Sequence, residues 1–483
     1  MFGNGIERSC WVGFLLLCGC GSSAAPSASE FAATHEDLLD PQTCKTCHEQ
    51  QFDDWSGSMH AYASDDPLFL AMNQRGQREA QLGDFCVKCH APVALSEGKT
   101  TDGLNLTGLS PSFKGVTCFF CHSVDDVQGT HDNPLHLSSD ARMRGEITDP
   151  VKNAVHASVY SPLHDRSQLG SSNLCGSCHD IVNGHGAALE RTYSEWQESV
   201  FSHAPGGSTC GQCHMDQSKA LQPVAPGGPP RRSHAHSLPG VDLALTGFPQ
   251  IDAQKQLVQD SLDTTLQSAL CVSGIAPAQW LTVILDNVSA GHHWPSGATQ
   301  DRRAWVEVNA YQGDHVIYQS GAVEPDGSGA SDADLWLLKD CMFDAAKRPV
   351  RMFWEAATSA GNLLPGQLTF DMSDVRFYQT HIYRRFPLVD QLPAAPDRVT
   401  LQVHLSAVAP EVIDDLIASG DLEARYRGAE PSLLVGKPLE WTAATVTEQF
   451  VDATVPTSCV SQGGLRATAD KVAATALPAG CSP

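Results

Sequence analysis

Positive charge is scarce in this chain: 31 Lys and Arg stand against 55 Asp and Glu in 483 residues, a formal net charge of -24 at pH 7. A chain so acidic is repelled by phosphate backbones and anionic lipid surfaces, which excludes nucleic-acid binding and charge-driven membrane attachment as functions. Long apolar runs are also missing. After the first twenty residues no segment approaches the roughly 18 apolar residues that a spanning helix needs. No segment recurs at a fixed period, so a solenoid is excluded as well.

What the chain has in abundance is cysteine beside histidine. With 17 Cys and 20 His, random order would give about 0.02 Cys-x-x-Cys-His strings in the whole sequence, yet five occur. They are CKTCH (Cys44, Cys47, His48), CVKCH (Cys86, Cys89, His90), CFFCH (Cys118, Cys121, His122), CGSCH (Cys175, Cys178, His179) and CGQCH (Cys210, Cys213, His214). Zinc would explain paired cysteines, but it needs four ligands around one ion and does not demand a histidine at the next position every time. A c-type haem demands both: two thiols form thioethers with the porphyrin, and the adjacent imidazole is the proximal iron ligand. The expectation is therefore five covalently attached haems c. The intervals between the motifs are unequal, and no Cys-x-x-Cys-Lys string accompanies them.

Attachment of haem c takes place outside the cytoplasm, so an export signal is expected. Glu7 and Arg8 lead into the short apolar stretch CWVGFLLLCGC, which is too short for an ordinary spanning helix. Its end, Leu17-Cys18-Gly19-Cys20, resembles a bacterial lipobox, with Cys20 as the lipidated residue and residues 1–20 as the signal peptide. A conventional signal peptide cut near the following SSAAPSA run is the alternative. Gly21 and Ser22 carry no acidic retention signal, so an exported lipoprotein of the periplasm or cell surface is expected, with the outer membrane favoured. Outside the motifs and the signal region four cysteines remain: Cys271, Cys341, Cys459 and Cys481. An even remainder in an oxidising compartment suggests two disulfides. The simplest pairing joins Cys271 to Cys341 and Cys459 to Cys481, although four cysteines permit three connectivities.

Residues 21–40 are small and polar at their start and read as a flexible tether. Residues 41–240 hold all five motifs on short helical or irregular segments. Such a stretch has too little side-chain core of its own, so the macrocycles are expected to be the core, packed against Phe52, Trp55, Phe85, Phe119, Phe120 and Trp196. A Pro- and Gly-rich run closes this region, and residues 241–270 include an amphipathic linker helix. From 271 to 460 the period changes to runs of strand formers such as WLTVILDNV and RVTLQVHLSAV, as in a β-sandwich-like domain. Residues 461–483 form an Ala-rich tail. The fold class expected is multidomain: a haem-cored, mainly α and irregular multihaem cytochrome c domain followed by a mainly β domain.

The five motifs, with WSGSMHAYA after the first, SPLHDRSQLGSSNL before the fourth, RRSHAHSLPG after the fifth and GHHWPSG in the β region, resemble the bacterial multihaem cytochromes c of the tetrahaem electron-carrier type. The resemblance implies that such segments supply distal histidines. His60, His136, His164, His236 and His292 are the five chosen, with His131, His156, His234 and His293 as substitutes. His315, His381 and His404 lie in strand-like runs and read as ordinary β-domain residues. Bis-histidine iron is closed to substrate and suits electron transfer between respiratory or extracellular redox partners. The enzyme alternative, a reductase of nitrogen or sulfur oxyanions, needs one open iron. A third reading makes the β domain a dock onto a larger membrane complex. The partners expected are other redox proteins and the membrane through the lipid anchor, with a complex of outer-membrane proteins or of further copies as an open alternative; nucleic acid is not among them.

Overall fold

In the computed structural model, residues 31–203, 205–218, 220–322 and 332–481 are described. The signal peptide and Cys20 lie outside them, as does the first half of the tether, residues 21–30. Residues 31–40, expected to be tether, are folded. Thr34 caps the short helix His35–Leu39 by accepting from the Asp37 amide while Asp37 accepts from the Thr34 amide. This orients Leu38 and Leu39 into a cluster with Val93, Phe119 and Phe120. No described helix is long and apolar enough to cross a membrane.

Among the described residues up to 240 the chain makes short helices and four two-stranded ribbons, of which Arg142–Gly145 with Ala157–Tyr160 is parallel. The longest helix there is α1 (Pro67–Ala80), with Pro at its start and Asp66 accepting from the Leu68 amide. Helix α2 (Ile251–Thr265) then leads into the β region.

Eleven strands build two sheets. They are β1 (Leu266–Ile275), β2 (Ala278–Asn287), β3 (Arg303–Gln312), β4 (His315–Ser320), β5 (Trp336–Leu338), β6 (His381–Phe386), β7 (Arg398–Ser406), β8 (Leu433–Thr442), β9 (Glu448–Asp452), β10 (Val455–Ser461) and β11 (Val472–Ala473). One sheet has the order β9-β10-β1-β2-β6-β11; the other runs β4-β3-β7-β8, with β5 also pairing β3. Alternate residues face inward. Leu270, Val272, Leu281, Val283 and Leu285 from the first sheet meet Ala304, Val306, Val308, Val399, Leu401 and Val403 from the second in one dry core. The sandwich expected from the alternating runs is thus present, capped by Val258 and Leu262 of α2.

Both disulfides differ from the simplest pairing: they join Cys271 to Cys459 and Cys341 to Cys481. Strand register decides the first. Cys271 of β1 and Cys459 of β10 are directly opposite in an antiparallel pair, with Cα atoms 4.0 Å apart. Cys341 lies on another sheet, between Pro349–Val350 and Thr358–Gly361, and the returning tail brings Cys481 to it.

The sandwich is fastened to the earlier region. Helix α3 (Pro410–Ala418) buries Val412, Ile413 and Leu416 against Leu68 and Ala71 of α1, each such burial contributing about 1.5 to 3 kcal/mol. Arg75 of α1 reaches Asp415 at 2.7 Å, and Arg78 holds Asp421 just beyond α3. The consequence for the site is that sandwich loops can form part of its wall.

Candidate haem-binding site

Each Cys-x-x-Cys-His string forms a helical turn. The amides of His48, His90 and His179 donate to the carbonyl of the first cysteine of their motif, at 2.8, 3.1 and 3.1 Å. Thr117 and Thr209 cap the turns of the third and fifth motifs by accepting from the Phe120 and Gln212 amides. The five turns converge on one branching cavity of about 1510 Å³, lined by all ten motif cysteines and all five motif histidines. Its apolar walls include Phe52, Trp55, Phe85, Phe119, Phe120 and Trp196. Trp55 and Trp196 also donate to the carbonyls of Val116 and Ser208, fixing the strands that enter the third and fifth motifs.

The turns neighbour one another in a definite order. The thiol of Cys44 lies beside that of Cys118, Cys89 beside Cys178, and Cys175 beside Cys210. The first motif therefore adjoins the third, the second adjoins the fourth, and the fourth adjoins the fifth.

Imidazole tautomers are set by the backbone. Nδ1 of His48 faces the Val224 carbonyl at 3.0 Å, His90 that of Ala63 at 3.1 Å, His214 that of Pro239 at 2.8 Å, and His122 that of Arg144. A carbonyl can only accept, so Nδ1 must carry the proton, which leaves the Nε2 lone pair free to bind a metal. The same holds for His236 against the His234 carbonyl and His292 against the His293 carbonyl. Burial pushes the His60, His122, His164, His179 and His292 imidazoles down to about 4, so they are neutral at pH 7 and competent as ligands.

Of the distal candidates, His60, His164, His236 and His292 line the cavity, as do the substitutes His156 and His234. His136 does not. Its side chain is 51% exposed, with Nδ1 2.6 Å from Asp125 Oδ1 on the surface. His131 is likewise exposed beside Asp132, and His293 turns to the buried Glu195 at 3.4 Å. In the β domain, His381 pairs with Asp286 and His404 stacks on Trp305. Two imidazoles on one metal, each at a metal–nitrogen distance of about 2.0 Å, have ring centres roughly 6 Å apart. His48 and His156 are 6.4 Å apart, His60 and His179 6.2 Å, and His122 and His164 5.8 Å. His236 lies 6.4 Å from His122. Buried and unpaired, His164 Nδ1 and His234 Nε2 also fit a site built to receive a metal-bearing group.

Gly115 brings the third motif to His60. At φ +67, an added Cβ would sit 2.5 Å from the His60 carbonyl oxygen, which accepts from the Val116 amide. Near the second and fourth motifs, buried Arg302 holds Asp242 through two bonds of 2.9 and 3.1 Å. Burial raises the neighbouring carboxyls: Asp66 to about 6, Glu190 to about 7 and Glu430 to about 8. None of these carboxyls, nor the carbonyls that fix the imidazoles, was visible in the sequence pattern.

A family model described as cytochrome c554 and c-prime matches residues 43–123, which contain the first three motifs. Over those residues the chain is similar to that family of c-type cytochromes. A solved structure, the penta-heme cytochrome c552 from Thermochromatium tepidum, superposes on this chain with a TM-score of 0.57. The match covers 84% of this chain and 99% of that one at 19% identity, a likeness of fold. No curated protein matches the sequence of this chain.

Proposed function

We propose that this chain is an electron-transfer relay carrying five haems c, one on each Cys-x-x-Cys-His turn. The observation that carries the reading is the single cavity on which all ten cysteines and the five motif histidines converge. When bound, haem c supplies a one-electron iron couple; the chain does the rest. Cys44 and Cys47, Cys86 and Cys89, Cys118 and Cys121, Cys175 and Cys178, and Cys210 and Cys213 provide the covalent attachment. His48, His90, His122, His179 and His214 are the proximal ligands. The geometry favours His156 opposite His48, His60 opposite His179, and His164 or His236 opposite His122. His292, which lines the same cavity as His214, serves the fifth site. His136 is left without a place in this set. Apolar walls exclude water and keep each imidazole in one orientation, so a change of charge demands little rearrangement. With Cys121 of the third motif also close enough to act on Cys175 and Cys178 of the fourth, the motif adjacencies favour a path from the first motif through the third and fourth to the fifth, with the second as a branch.

One observation favours the enzyme reading. Among the described residues no second imidazole is in ring contact with His214 or with His90, whose ring lies flat on Phe69 at 4.1 Å. Low-temperature EPR of the oxidised protein, with pyridine haemochrome quantification, separates the two. Five haems per chain with only low-spin signals are expected for the relay. One stoichiometric high-spin signal would instead place an open iron in the cavity and bring a reductase forward. Fewer than five haems would overturn the assignment of the motifs. We further propose that Cys20 anchors the exported protein to the outer membrane and that its partners are redox proteins.

A further inference from the structure

Among the ten motif cysteines only Cys47 and Cys213 are exposed, so the first and fifth motifs are the ones that reach the surface. The fifth has a second feature beside it. Phe201 lines the cavity, and its carbonyl accepts from the Ser208 amide two residues before Cys210. The Phe201 ring also faces Gly291, the neighbour of His292. Its other side meets Phe370 edge-on at 5.4 Å, and the Val200 amide donates to the Gln367 carbonyl at 2.8 Å. Phe201 is thus a wedge between the fifth motif, the His292 turn and the sandwich segment 366–376.

That segment turns apolar side chains to solvent. Phe370 is 55% exposed, Met372 63% and Val375 71%. Single exposed apolar residues are ordinary, but three within six positions make a patch that needs a reason. Asp371 and Asp374 lie within it, the exposed Glu198 stands two residues before Val200, and Arg376 is held by Asp374 at 2.6 Å. An apolar centre with a charged rim is the anatomy of a transient protein interface.

Resting on the relay reading, we propose that segment 366–376 with Phe201 is the docking surface of the fifth-motif end, and that its occupant is a small redox protein whose apolar contact face is ringed by lysines. Charge decides the occupant. A second copy of this chain, at -24, would bring acid against acid, and an anionic lipid surface would do the same. A basic partner is instead steered toward the patch.

The test uses the full-length haem-loaded protein and, as the probe, a basic monohaem cytochrome c in stopped-flow electron transfer at low ionic strength. The triple variant Phe370→Ser, Met372→Ser, Val375→Ser changes only exposed side chains. It should lower the second-order rate at least tenfold, with haem content, optical spectrum and reoxidation by ferricyanide unchanged. Asp371→Lys should lower the same rate and flatten its dependence on salt. A triple variant within twofold of wild type overturns the docking surface while the relay stands. A wild type that exchanges electrons with ferricyanide but not with the basic probe overturns the choice of partner. If neither reagent reacts, the relay reading falls and the dock with it. Self-association in sedimentation, or binding to anionic vesicles, that the triple variant abolishes would assign the patch to a second copy or to lipid and overturn the proposal.

Discussion

Replacing Cys271 and Cys459 together by Ala should strip the sandwich of much of its stability without touching the cavity. The bond spans 188 residues, and a free loop of that length would be worth about 5 kcal/mol of unfolded-state entropy. The second disulfide shortens it. Cys341 and Cys481 remain joined in the unfolded chain. The shortest closed circuit through both bonds therefore runs the 70 positions from Cys271 to Cys341 and the 22 from Cys459 to Cys481, about 90 residues in all. A loop of that size corresponds to about 4 to 5 kcal/mol. With a urea slope near 2 kcal/mol per molar for a region of this size, the unfolding midpoint of the double variant should fall by about 2 M. Far-UV circular dichroism of the β signal, followed in urea with the haem absorbance recorded in parallel, measures it. A midpoint lowered by less than about 0.5 M would refute the reasoning, because it would mean that the register of β1 and β10 already confines the unfolded chain.

Three further outcomes are expected. Gly115→Ala places a side chain at positive φ against the His60 carbonyl; it should cost about 1 to 2 kcal/mol and shift the EPR line of the haem that His60 serves, leaving the other lines in place. His156→Ala should turn one haem from low to high spin, whereas His136→Ala should leave the EPR spectrum unchanged; the reverse result would return His136 to the ligand set. Between about pH 4.5 and 8 the folded chain holds protons on Asp66, Glu190 and Glu430 that the unfolded chain has released. Stability from these groups is therefore full below their unfolded values and is lost as pH rises through their folded ones. Urea midpoints should decline from pH 5 to pH 8, and Glu430→Gln should flatten the upper part of that slope; an identical slope in the variant would remove Glu430 from the account.

The motifs were legible because the chemistry of one haem site is written within five residues, and a helical turn converts that spacing directly into geometry. The sandwich was legible for a similar reason: alternation in β1, β2, β3 and β7 is a local pattern that one buried face imposes. What the sequence could not supply was long-range closure. His156 is 108 positions from His48, and nothing in its neighbourhood distinguishes it from His136; only the parallel pairing of Arg142–Gly145 with Ala157–Tyr160 brings one near the cavity while the other stays on a surface ribbon beside Asp125. The carbonyls of Ala63, Arg144, Val224 and Pro239 have no side-chain signature at all. The disulfides were misread because nearness along the chain stood in for nearness across a sheet, and β10 returns to β1 only after every other strand except β11 has been laid down.

Because His292 belongs to the loop between β2 and β3, the wall facing the fifth motif is made late. Synthesis proceeds from His48 to His214 before the first sandwich strand exists, and His292 follows His214 by 78 residues. The cysteine turns thus emerge as an open face, accessible to whatever enzyme performs thioether chemistry. The sandwich loop that carries His292 joins the cavity wall only after all five turns have been synthesised.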